Sequence, residues 1–589
     1  MDKKHFNLYD TLYKTKDKIR CIGFENIVVK GIIALIFASL LQMLIIQVNF
    51  TEFQFWKNAN ILLFIGSMIV SFIILLITGK PIIDKLLFIW SALLYCLFAI
   101  VENKDIYFAI GCCVVMGVVI LYAFTADMHF EISKVSTMTI LSVLAIGSIL
   151  FIGGITTVRY LSHWTPNYDF GIFAQMYTYM KETFMPMTTC ERDMLVSHFY
   201  VHFSPIFYVL LPIYYVFPSP VTLMFGQALV IASGLIPLYL LTKKYHFSNI
   251  VTILISLIYI LLPSLVGGSF YYIHENQFLT PLILWLFYFI EKNNGVGTVS
   301  FALLVMLVKE DAPVYVAFVA LYFILSKRNV KKGAVLLVLS IVYFITVIKL
   351  LSIFGEGAMF NRFDNYNYDQ SGSVLTLIKA VLLNPIYVIR ECFKEKKFLF
   401  MVQMFLPMAF VPLMINKPSK LILLCPLILI NLMPDYGYMY NVGYQYTYGS
   451  SAFLIYLFII NYVTIKKPWN KKILMIAVMS SIILFTSQYF DKINTFRSYL
   501  DNIEEHKTID SALDMIPEDA SVKASTFLVA NLFDHKELYE LETTKHETEY
   551  VVLDLRYESK EHKVEQYQND QYETIFLKDN IIGVFRKKL

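Results

Sequence analysis

Long apolar runs separated by short polar turns fill most of the chain as far as residue 490. A spanning helix needs about 20 apolar residues, which predicts an N-terminal block of five at 28–48, 60–78, 83–101, 107–126 and 137–157. After a polar stretch the runs resume at 203–217, 220–242, 249–267, 276–291, 297–308, 312–326, 333–354, 398–415, 419–434, 449–465 and 472–490. Several are too short to cross alone. From residue 491 the texture is that of a soluble domain, with a helical stretch from Phe496 to Ile516 and β-branched runs at Glu549–Leu555 and Tyr572–Leu577. Asp579-Asn580 between two apolar runs predicts a hairpin turn. The expected fold is an all-α polytopic membrane protein with a small C-terminal α/β domain. Its parts are a tail (1–27), extra N-terminal helices (28–135), a transmembrane core (136–490) and the soluble domain (491–589).

Composition agrees, because 57% hydrophobic and 16% charged residues cannot coat a soluble globule of 589 residues with polar surface. A net charge of +4 says little about partners, and no nucleic acid is expected. The placement of the cations says more. Lys80 and Lys85, Lys134, Lys243 and Lys244, 327–332, Lys417 and Lys420, and Lys466–Lys472 form one alternating set of loops, expected inside. The alternation holds if 203–217, broken by Pro205, Pro212 and Pro218, dips into the membrane without crossing. Loops 158–202, 268–275, 309–311, 355–397 and 435–448, and everything after 490, are then outside. The polar start, with Lys3, Lys4, Lys14, Lys16, Lys18 and Arg20, reads as a cytoplasmic tail and not a cleavable signal. Of seven cysteines only Cys190 and Cys392 fall in outer loops, where they are either two free thiols or a disulfide.

Chemistry is expected where polar residues meet the outer face. The first outer loop carries Arg159, His163, Asn167-Tyr168-Asp169-Phe170-Gly171, Gln175, His198 and His202, and later turns add His274-Glu275 and Lys309-Glu310-Asp311. A carboxylate, imidazoles and cations converging above a lipid-accessible cavity suit transfer of a group from a lipid phosphate. Plainer readings stand beside this one. Asp169 is also placed to cap a short interfacial helix, and His274-Glu275 to form an ordinary polar turn. Lys309-Glu310-Asp311 is also a self-neutralising turn, with Glu310 and Asp311 compensating the ammonium. His198 and His202, four apart on one helical face, permit a divalent metal, although no cofactor is required by any motif. Partial burial would raise the pKa of Asp169 toward the range useful for a base.

From about Thr157 to Leu555 the chain resembles the bacterial predicted membrane proteins catalogued as domain of unknown function 2079. The matching pieces are YDFGIFAQ at Tyr168–Gln175, HFSP at His202–Pro205 and PSPVTLMFGQ at Pro218–Gln227. Others are IHEN before Pro281, LVKED at Leu307–Asp311, NPIYVIRE at Asn384–Glu391, YQYTYGSSAF at Tyr444–Phe453, ASVKASTFLVANL and YVVLDL. The plan of that family is similar to the GT-C glycosyltransferases. The resemblance implies that Asp169 corresponds to the acidic residue of the first GT-C loop and that Lys309 stands near a donor phosphate. Many GT-C members have two acidic residues in that loop, and here Asn167 occupies the first position, which argues against a two-carboxylate metal site. The activity implied is transfer of a sugar from a polyprenyl-phosphate donor to an extracytoplasmic glycan, lipid or protein, at a bacterial plasma membrane. In it Asp169 would be the base, with His202, His274 and Glu275 as further catalytic groups. Arg159, Gln175, His198, Lys309, Glu310 and Asp311 would bind substrate. A transporter or flippase of a lipid-linked substrate and a non-catalytic assembly factor are the rival readings.

Overall fold

The structure, a computed structural model, describes residues 24–46, 57–78, 81–124, 131–327, 329–357, 360–370, 374–556 and 560–588. The expected cytoplasmic tail lies outside the described residues up to Phe24, which opens the first helix. Among the described residues seven helices are long and apolar enough to cross a membrane, or eight if the bent pair Asn249–Leu261 and Pro263–Tyr271 is one span. Other apolar runs form shorter helices such as Gly295–Met306 and Pro313–Leu325. At about 1.5 Å per residue these fall well short of a hydrocarbon core of about 30 Å.

The chain divides into two compact units. The first joins the residues up to Glu131 with Leu406–Ala409 and Ile465–Asp491. Its helices Phe24–Ile46, Ile61–Thr78, Pro81–Asn103 and Ile106–Ala123 fall close to the predicted runs. Asp105 caps the last of them by accepting a hydrogen bond from the Phe108 N–H. A fifth helix returns from far along the sequence: Trp469–Tyr489 packs Met479, Ile483 and Leu484 against Ile89, Leu93, Met116 and Ile120. Lys30 and Asp84, both buried, neutralise each other at 2.6 Å.

The second unit holds Ile132–Phe405, Phe410–Thr464 and everything from Lys492 onward. Helix Lys134–Leu161, capped by Ser133, leads into the first long polar loop, where β1 (Met187–Thr188) and β2 (Val196–Ser197) pair antiparallel. The segment expected to dip without crossing forms two short pieces, Pro205–Val209 and Leu211–Val216. Helix Tyr448–Tyr462 is buried on every face and occupies the interior of this unit.

In the C-terminal region the stretch expected to be one helix is broken at Asn502 into Asn494–Asp501 and Ile503–Leu513. Five strands follow: β3 (Val522–Ala524), β4 (Leu538–Glu540), β5 (Tyr550–Asp554), β6 (Tyr572–Lys578) and β7 (Ile582–Lys587). Their order is β4-β3-β5-β7-β6, parallel across β4, β3 and β5 and antiparallel across β5, β7 and β6. Central β5 is buried throughout, as its unbroken Val551-Val552-Leu553 run requires. The predicted hairpin joins β6 to β7, with Asn580 at φ 65°, a left-handed conformation that Asn tolerates.

Candidate functional site

The sheet domain braces the first polar loop. Thr189 Oγ1 donates to the Leu538 carbonyl at 2.5 Å, and Gln175 Nε2 donates to the His535 carbonyl at 2.9 Å. Arg556 donates to the carbonyls of Ser162 and His163 at 3.1 and 2.6 Å. Held this way, the chain leaves Pro166 in an extended conformation and enters a tight turn, Asn167–Gly171, that opens helix Ile172–Thr183. Asn167 fixes the turn: its N–H donates to Thr526 Oγ1, and its Nδ2 reaches the Cys190 carbonyl and Glu540, each at 3.3 Å. Gly171 is required by close approach, since a Cβ there would lie 2.7 Å from Asn167 Oδ1 and 3.1 Å from Val529 Cγ1. The Tyr168–Asp169 peptide in this turn is cis.

The turn delivers Asp169 to the wall of a cavity of about 410 Å³. His198, His202, His274, Glu275 and Lys309 line the same cavity. Asp169 Oδ2 lies 2.8 Å from His274 Nε2, and its side chain is 26% exposed, so one oxygen is engaged while the group still meets the cavity. Its carboxylate is therefore bonded to an imidazole and does not cap the following helix. His274 is held by Tyr271, whose ring stacks on it at 5.4 Å, and by the edge of Phe173. Behind them Lys309 Nζ and Glu275 Oε1 form a buried pair at 2.6 Å. His202 Nδ1 meets Glu310 Oε1 at 2.9 Å, and His198 Nδ1 meets Glu191 Oε2 at 3.0 Å.

These pairings set the charges. Burial pushes the Asp169 carboxyl up, but the His274 hydrogen bond and charge more than offset it and hold the group below the ordinary range. The expected upward shift is thus reversed, because the sequence did not place an imidazole against the carboxylate. Burial likewise opposes ionisation of Glu275, and the Lys309 ammonium overcomes it and keeps the carboxyl well below normal. Burial alone would lower Lys309; Glu275 raises it above the ordinary lysine range. Glu310, buried beside His202, is held down to about 2. Burial, then the Glu310 charge, push the Asp311 carboxyl up.

Not every expected residue reaches the cavity. Arg159, in the last turn of its helix, donates to the Phe270 carbonyl at 2.8 Å and lies 4.9 Å over the Tyr272 ring, so its guanidinium is spent on the fold. Gln175 uses its amide on Thr188, Thr189 and His535 and acts as a bracket for the sheet domain. Glu310 stands behind His202, and Asp311 is absent from the cavity lining. Lys309 pairs directly with Glu275, which compensates its charge most strongly, and the expected neighbours Glu310 and Asp311 add to that compensation. The rings of His198 and His202, whose spacing permitted a metal, lie with centres 6.0 Å apart, and the Nδ1 of each meets a separate carboxylate, Glu191 and Glu310. Among the described residues no three His, Cys, Asp or Glu side chains are grouped to hold a metal ion. Cys190 and Cys392 are separate buried thiols.

Three groups in the lining were not singled out from the sequence. Glu191 and Arg192 come from the first loop, where Arg192 makes a bidentate pair with Glu356 at 2.6 and 2.8 Å. Arg362 enters from the loop after helix Val330–Phe354, its guanidinium 5.4 and 5.1 Å from the Tyr436 and Tyr446 ring centres. Tyr271, Tyr438 and Tyr444 continue that aromatic wall, with the Tyr438 and Tyr444 rings 4.5 Å apart. The crowding of tyrosines between 436 and 448 was the visible signal for it.

A solved structure with a similar outline is the apo crystal structure of ArnT from Cupriavidus metallidurans. It has a TM-score of 0.42 and 9% sequence identity, covering 75% of this chain and 98% of that one. No curated protein matches the sequence. The family described as "Predicted membrane protein (DUF2079)" matches residues 159–580. That match begins at the helix end preceding the Asp169 turn, runs through every segment that lines the cavity and closes in the β6–β7 hairpin. Covering well over half of the chain, it makes this protein a member of the DUF2079 family of predicted membrane proteins.

Proposed function

We propose that this protein is a membrane glycosyltransferase that moves a sugar from a polyprenyl-phosphate donor to an extracytoplasmic acceptor. The observation that carries the reading is the partly exposed Asp169, hydrogen-bonded to His274 at 2.8 Å, at a cavity that Lys309 and Arg362 also line. In this reading an acceptor hydroxyl attacks the anomeric carbon, the bond from that carbon to the phosphate oxygen breaks, and polyprenyl phosphate leaves. The hydroxyl proton passes to Asp169, with His274 orienting the carboxylate. A carboxylate of lowered pKa suits a late proton transfer, because the attacking oxygen becomes strongly acidic only once the new bond is forming. Arg362 and the Lys309 charge stabilise the departing phosphate, and positioning contributes the remainder.

The test is an in vitro assay of the purified full chain with radiolabelled polyprenyl-phosphate sugars and cell-envelope acceptors. Asp169→Asn keeps the size of the side chain and one hydrogen bond to His274, and it should lower transfer by 100-fold or more, on the order expected for loss of a general base. Near-normal transfer by a normally inserted Asn variant would reduce Asp169 to a structural role. Movement of intact lipid-linked sugar across a vesicle, without release of polyprenyl phosphate, would favour the transporter.

A further inference from the structure

The loop that brings Arg362 to the cavity also carries two short helices, Val374–Leu383 of 10 residues and Pro385–Cys392 of 8. Both repeat one pattern. Leu375, Ile378 and Leu382 recur at helical spacing on the first, and Ile386, Ile389 and Phe393 repeat it on and just beyond the second. All six are exposed, from 48% at Ile378 to 79% at Ile386. In each set a cation occupies the same flanking place, Lys379 in the first and Arg390 in the second, both exposed. Lys394 and Lys396 extend the basic margin, and of the two nearby acids Glu391 is buried between Arg390 and Lys394. The opposite side is tied to the protein: Thr376 donates to Asp369 at 2.8 Å, Tyr387 donates to the Asn365 carbonyl at 2.8 Å, and its ring meets Tyr366 edge-on.

From this arrangement we infer that the two helices lie flat in the membrane interface, with their apolar stripes among the acyl chains and the cations at the level of anionic headgroups. Neither helix, at about 12–15 Å, can cross a hydrocarbon core of about 30 Å. An exposed apolar stripe edged by Lys and Arg is the signature of an in-plane amphipathic helix, and the long cations reach the headgroups from its margins. The placement has a consequence for the cavity. The segment to which the two helices are tied, through Asn365 and Asp369, also includes Arg362, whose carbonyl accepts from the Asp435 N–H at 3.0 Å, so the bilayer surface is coupled to the cavity wall. The two helices would hold this place whether or not the protein transfers a sugar.

The full chain, reconstituted in vesicles of phosphatidylethanolamine and phosphatidylglycerol, carries a fluorescent non-natural residue in place of Ile386, or of Glu518 as an exposed control on the sheet domain. Lipids brominated on the acyl chain should quench the label at 386 several-fold more than the label at 518, and aqueous iodide should show the reverse order. A label at 389 gives a second reading should the first variant fail to fold. Efficient iodide quenching without bromolipid quenching at these sites would overturn the inference. Shielding from both quenchers would place protein over the stripe and overturn it equally.

Discussion

A buried ammonium needs a compensating partner, and Lys309 has one in Glu275, at 2.6 Å. Replacing Lys309 with Met should leave the Glu275 charge stranded and destabilise the protein by about 3–5 kcal/mol, the range for breaking a buried pair. The double variant Lys309→Met with Glu275→Gln should regain most of that loss. Thermal unfolding of the detergent-purified parent, single variant and double variant measures it, and equally lowered melting of the single and double variants would mean that a stranded Glu275 charge is not the source of the loss. Binding of polyprenyl phosphate read on the stable double variant separates the charge that Lys309 presents to the cavity from its part in the fold. Both residues were legible as candidates, each on its own polar turn. Their pairing was not, because it joins turns far apart in the chain.

The element that decides the site is the turn Asn167–Gly171. Its sequence marks it as polar and glycine-ended, which is why Asp169 stood out. Whether the carboxylate caps a helix or faces a cavity depends on where the turn is held. Gly171→Ala tests that hold. The added methyl would press on Asn167 Oδ1 and Val529, and relieving that overpacking should cost about 1–3 kcal/mol. Because Asn167 moves with the turn, the variant should also lose most of its transfer activity while keeping its insertion. Full activity with unchanged melting would show that the turn accommodates a side chain. The helix broken at Asn502 illustrates the same limit, since apolar periodicity runs through the position where the backbone leaves the helical conformation.

On the scale of the whole molecule, the charge pattern makes a prediction about sidedness. If the Lys-rich loops are cytoplasmic, the sheet domain and the cavity it braces are extracytoplasmic, where a polyprenyl-linked donor would be presented. Reporter fusions after Leu589 check this: an export-dependent reporter should be active there and a cytoplasm-dependent one silent. The opposite result would remove the donor-side logic of the proposed reaction. The division into two units was not apparent along the chain, because the helix Trp469–Tyr489 and Leu406–Ala409 complete the N-terminal unit from a distance.

The sequence by itself determined that this is a multi-pass membrane protein with a small C-terminal α/β domain, because composition and run length are local properties read against the thickness of a bilayer. It also determined the hairpin at Asn580 and the polar segments from which a site would be built. Only the tertiary structure decided which of those polar residues meet. It set Asp169 against His274, sent Arg159 and Gln175 into the scaffold, and brought Arg362 and the tyrosine wall into the cavity. The physical reason is that apolar burial is written in the pattern of each segment. A carboxylate's partner, and with it the direction of its pKa, depends on atoms that only folding brings within about 3 Å.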